Sequence, residues 1–125
     1  MIFCFRPDAV IELNVLLVGA GKHRLLHRGA LESALARPLH TFGGSFLFGT
    51  VVERAAALLD GLAQSHPFMD GNKRVAWLCA VMYLDVNGVK IRHMGADEAG
   101  AFVEEVVMHQ HDVKASALWL SERII

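Results

Sequence analysis

Val75-Ala76-Trp77-Leu78-Cys79-Ala80-Val81-Met82-Tyr83-Leu84 runs ten residues without a charged or strongly polar side chain, and its reading decides the fold. A segment apolar on every face belongs inside a protein, so it is read as a central helix wrapped by the others. At ten residues it is too short to span a membrane, and no 18-residue apolar run occurs anywhere in the sequence. The apolar N-terminal stretch Met1 to Leu17 is broken by Arg6, Asp8, Glu12 and Asn14, which argues against a targeting segment. A soluble cytoplasmic protein is expected.

Working outward, apolar positions recur mostly at helical spacing and alternating stretches are nearly absent, so the class is all-α. Asn87-Gly88 stops the central helix. Upstream, Thr50 and Glu53 are spaced as a capping box opening a helix that reaches about Ser65, each side chain satisfying an orphan backbone donor. Thr41 to Ser45 reads as a loop. Gly29 begins a short helix through Ala36 that Pro38 cannot continue. Pro7 and Asp8 open the first helix through Val10, Leu13, Leu16 and Leu17, ended by Gly19-Ala20-Gly21. Downstream, Val89-Lys90-Ile91 reads as a short extended piece, followed by helices from Asp97 to about His109 and from Asp112 to about Ile124. About six helices in a compact bundle around a central buried helix, forming one domain over 1–125, is the expected architecture.

Composition agrees with a dense core and excludes disorder: 54% of the 125 residues are hydrophobic, and mean hydropathy is +0.37. Twelve Lys and Arg against thirteen Asp and Glu leave a formal charge of −1. No global field draws the chain to nucleic acid or to an anionic membrane, and any anion site must be local. Cys4 and Cys79 both lie among apolar residues and read as small core hydrophobes in a reducing compartment.

One polar segment interrupts this picture, His66-Pro67-Phe68-Met69-Asp70-Gly71-Asn72-Lys73-Arg74, immediately before the apolar helix. Helix N-termini favour Asp or Glu, whereas Lys73 and Arg74 place two cations in the first turn, at a cost of ~0.3–1 kcal/mol each. A bound phosphate reverses that cost. Asp70 offers a hard oxygen to Mg2+, Asn72 can orient phosphates or metal, and Gly71 permits close backbone approach. His66 is the segment's one side chain that takes a proton near neutral pH, a candidate general base for an attacking hydroxyl. Phe68 is read as the apolar anchor that pins the loop. Singly, Asp70 or Asn72 could be a helix cap, His66 a helix-end histidine, and Lys73 and Arg74 solvated charges. Together those ordinary readings leave two cations at the wrong helix end unexplained, beside a histidine and a carboxylate.

The nine residues His66 to Arg74 resemble the signature of the Fic/Doc superfamily, and Asn72-Lys73-Arg74 matches its Doc (death-on-curing) branch; typical Fic enzymes have glycine where Lys73 stands. Gly29 to Pro38, Phe42-Gly43-Gly44 and Asn87-Gly88 also resemble Doc-like chains, so the likeness covers most of the sequence. It implies a helical toxin of a type II toxin–antitoxin pair, using ATP and Mg2+ to phosphorylate a threonine of elongation factor Tu. In that scheme His66 deprotonates the threonine, Asp70 holds the metal, and Gly71, Asn72, Lys73 and Arg74 form the phosphate site. Fic-type AMP transfer to a protein hydroxyl and a catalytically silent binding module are the alternatives. Self-inhibiting Fic proteins carry Ser or Thr, three residues, then Glu; no serine or threonine here has glutamate four positions on. The resemblance therefore implies inhibition by a separate antitoxin, a disordered segment folding as a helix into an apolar groove.

The sequence departs from the family pattern at Asn14, where histidine is expected in many relatives, and in the more basic stretch Lys22 to Arg28. No catalytic role is assigned to these residues. The spacings His23/His27 and His109/His111 lack the company a zinc site needs. Trp77 and Trp119 read as core residues, and Glu98, Glu104 and Glu105 as a solvated helix face.

Overall fold

A computed structural model describes residues 3–125, so Met1 and Ile2, the start of the apolar N-terminal stretch, lie outside the described residues. Six α-helices are present among them: α1 Pro7–Val18, α2 Arg28–Ala36, α3 Val51–Ser65, α4 Asn72–Val86, α5 Ala96–Val107 and α6 Val113–Ser121. The all-α expectation holds. Pro7 stands at the start of α1, where its missing N–H costs nothing, and Gly19 ends the helix, donating its N–H to the Val15 carbonyl. Among the described residues no helix is long and apolar enough to cross a membrane.

The centre is shared between two helices. α3 packs against α2, α4, α5 and α6, burying Ala55, Ala56, Ala57, Leu58, Leu59, Leu62 and Ala63. α4 lies against α1, α3 and α5; it buries Val75, Ala76, Cys79, Ala80, Tyr83 and Leu84 but leaves Met82 44% exposed. Small alanines explain why α3 is the hub, since they let four helices approach one axis closely.

Four local expectations are corrected. Thr41 to Ser45 is not a plain loop: β1 Thr41–Phe42 and β2 Ser45–Phe46 pair antiparallel. Gly43 and Gly44, at φ 61° and 84°, supply the two left-handed residues of a tight hairpin turn. α5 stops at Val107, where the chain turns through left-handed His109, and α6 stops at Ser121. After α6 the tail turns back: Ile124 bridges Ile91, and Arg92 N–H donates to the Arg123 carbonyl at 2.8 Å. The extended reading of Val89-Lys90-Ile91 is thereby met. In the capping box, Thr50 Oγ accepts from Glu53 N–H at 3.0 Å, but the Glu53 carboxylate takes the Thr50 hydroxyl rather than its N–H. Finally, Cys79 is buried while Cys4 is exposed.

The aromatics of α4, α5 and α6 form one cluster. Phe102 and Trp119 stack with centroids 3.8 Å apart, and Trp77 stands edge-on to both. Both tryptophans are partly buried against the core.

Candidate active site

The site begins where α3 ends. His66 terminates that helix with a left-handed backbone, φ 45° and ψ 58°, and Pro67 follows. Such a conformation costs a non-glycine residue roughly 1–2 kcal/mol. It turns the chain sharply and leaves His66 exposed at the loop's start.

The loop is held largely through its main chain. Phe68 is 1% exposed and anchors it in the core, as its sequence setting predicts. Pro67 O accepts from the N–H groups of Leu26 and His27, and Met69 N–H donates to Arg24 O at 2.9 Å. Leu25 and Phe68 form an antiparallel bridge, so the basic stretch Lys22 to Arg28 backs the loop like a short strand. From the other side, fully buried Asn14 of α1 donates from Nδ2 to Asp70 O at 2.8 Å. Its Oδ1 pairs with His23 Nδ1 at 2.7 Å. Sequence reasoning missed this tie: a lone Asn on an apolar helix face was the signal, because a buried amide must find partners.

Asn72 closes the loop from within. Its Oδ1 accepts from Phe68 N–H at 3.0 Å, and its Nδ2 donates to Phe68 O at 2.7 Å. This amide, expected to orient phosphates or metal, here shapes the loop. Gly71 opens α4 at φ 81°. A Cβ there would lie 2.7 Å from Val18 Cγ1 and 3.1 Å from Asn14 Nδ2, so glycine is required by torsion and by space.

His66, Met69, Asp70, Gly71, Asn72, Lys73 and Arg74 line one open cleft of about 360 Å³. Every polar residue singled out in the loop is brought to it; Phe68 lies beneath. Asp70 takes the Gly71 N–H, but among the described residues no side chain accepts from the N–H groups of Asn72, Lys73 and Arg74 in the first turn of α4, which leaves those donors open to an anion. One Asp70 oxygen accepts from Gly71 N–H at 2.7 Å, and its exposed carboxylate keeps the other. A carboxylate with a free oxygen beside open backbone donors is a set of groups that could hold Mg2+, which completes its shell with phosphate and water.

The two cations are partly answered within the chain. Arg74 donates to Leu17 O at 3.3 Å, in the last turn of α1 where a cation is favoured. Lys73 pairs with Glu104 of α5. The glutamates expected on a solvated face are solvated, and each is also paired: Glu98 binds Arg92 and Arg123, Glu104 binds Lys73, and Glu105 binds His111 at 2.9 Å. With His23 on Asn14 and His111 on Glu105, neither histidine spacing builds a centre, and no cluster of three His, Cys, Asp or Glu occurs among the described residues.

Two apolar depressions adjoin this cleft or the helix that carries it. Trp77, Leu78, Met94 and Val103 line one of about 260 Å³ between α4 and α5, with Lys73 and Arg74 on its rim. Phe5, Leu13, Leu16 and Met82 line another of about 240 Å³ between α1 and α4.

Comparison with known proteins agrees with the geometry. The model of the Fic/DOC family matches residues 4–84, which contain the whole loop. The chain is also similar to a protein of Mycolicibacterium smegmatis named Toxin Doc, 35% identical over 113 residues, covering 86% of this chain and 87% of the relative. With the loop, the helices that frame it and most of the sequence in agreement, the chain belongs to the Fic/DOC family.

Proposed function

We propose that this chain is a Doc-type toxin, a protein kinase that transfers the γ-phosphate of ATP to a threonine hydroxyl of elongation factor Tu and so arrests translation. The observation supporting this reading is the single cleft that gathers His66, Asp70, Lys73, Arg74 and the uncapped start of α4. The named relative supports the toxin assignment. Phosphoryl transfer asks a protein mainly for positioning and charge neutralisation, and these groups supply both.

In the proposed reaction His66 takes the proton of the acceptor hydroxyl as its oxygen bonds to the γ-phosphorus. The bond from that phosphorus to the β–γ bridging oxygen breaks, and ADP leaves. Lys73, Arg74 and the N–H groups of the first α4 turn hold the phosphates. Asn72, by clasping Phe68, keeps the loop in shape. Asp70 would hold Mg2+, whose role is to offset negative charge on the phosphates. Inhibition falls to a separate antitoxin, whose segment folds as a helix on the apolar groove between α1 and α4, where Leu16 is 83% exposed. The substrate places the activity in the cytoplasm.

The test incubates the purified chain with elongation factor Tu and Mg·ATP labelled at the α or the γ position, alongside His66→Gly. Glycine accepts the left-handed backbone of residue 66, so the variant should fold while losing at least about a hundredfold in transfer rate, the low end for a general base. Label arriving from the γ position supports the kinase. Arrival from the α position makes it an AMP transferase, and arrival of neither leaves a binding module.

A further inference from the structure

The ion pair between Lys73, which lines the site, and Glu104 of α5 has no counterpart in the proposed reaction. Lys73 stands in the first turn of α4 and lines both the loop cleft and the apolar α4–α5 cleft. Glu104 reaches it from the last part of α5, and each side chain is half exposed, 48% and 49%. Asp70 and Glu104 therefore set two carboxylates against the two cations of the loop, and these four charges cancel while the pair is closed. A phosphate approaching that cleft meets a lysine already engaged and a carboxylate that repels it.

We propose that Glu104 is a positioning residue that competes with phosphate for the Lys73 ammonium and so limits how tightly the site holds nucleotide. The inference rests on the phosphate-binding reading of the loop. Bound phosphate draws Lys73 away from α5, and Glu104 retakes it when the phosphate departs. Because the pair is solvated, the effect is modest and salt-sensitive. Neutralising Glu104 should tighten Mg·ATP binding roughly two- to fivefold at low ionic strength, the span of an exposed ion pair.

The experiment is calorimetric titration of Mg·ATP into the wild-type chain, Glu104→Gln, Lys73→Ala and the double variant, with Glu105→Gln as a charge-matched control. Thermal melts check that each is folded. The expected result is tighter binding by Glu104→Gln, unchanged binding by Glu105→Gln, and loss of the Glu104→Gln gain when Lys73 is absent. The proposal is overturned if Glu104→Gln binds as wild type or more weakly, or if its full gain persists without Lys73; the phosphate site itself would survive either outcome. No heat from any of the five proteins would remove the phosphate site and this inference together.

Discussion

Gly71 shows how narrowly one position is specified. Its torsion of +81° and the 2.7 Å that would separate an added methyl carbon from Val18 Cγ1 act together, and neither can relax without moving α1 against α4. Gly71→Ala should cost about 2 kcal/mol, lowering Tm by several degrees in a differential scanning measurement and disturbing the start of α4. That glycine is readable from the sequence as a strained turn and as a close approach to a ligand, but its close approach to Val18 and Asn14 of α1 is not. The same holds for Asn14 and Asp70, which meet across 56 residues of chain. Spacing reveals neighbours within a helix or loop, not partners brought together by packing.

At the level of elements, the helices were legible because their apolar periodicity and their Pro, Gly and Thr punctuation agree. The hairpin was not, since two-residue strands carry no measurable alternation. The end of α6 was also obscured, because Arg123 and Ile124 continue a helical pattern yet serve the return to Lys90-Ile91-Arg92. That return is fastened by Glu98 of α5. Hydrogen bonds from Arg92 and then Arg123 hold its carboxyl below the usual carboxylate range. A depressed folded-state pKa contributes stability above the unfolded value, near 4.5, that is lost as pH falls through the folded value. Acid unfolding of Glu98→Gln should therefore show a shallower loss of stability below about pH 4.5 than wild type, with the difference reduced by salt. Parallel curves would assign Glu98 no part in the fastening.

Across the whole molecule, one core unites α1 to α6, and Cys79 at its centre reports on it. Burial pushes this thiol up to about 12, far from the thiolate needed for reaction, while Cys4 is exposed. A thiol-disulfide reagent in mildly alkaline buffer should titrate one cysteine quickly in the native chain and both after denaturation. Two fast thiols in the native chain would mean that α1 separates from α4, whose shared groove Cys79 lines, far more readily than this packing allows. The balanced net charge predicts that any anion site is a local feature, yet could not reveal how Lys73 is answered from α5.

The bonds that fix the loop's path end on the main chain of Pro67, Phe68, Met69 and Asp70. Its contour is thus a mould set mainly by main-chain contacts, to which the outward-facing groups at Met69 and Asp70 add one bond, from Gly71 N–H to the Asp70 carboxylate. A lineage can then rewrite what this surface does to a nucleotide by exchanging those groups one at a time, without recasting the scaffold beneath them.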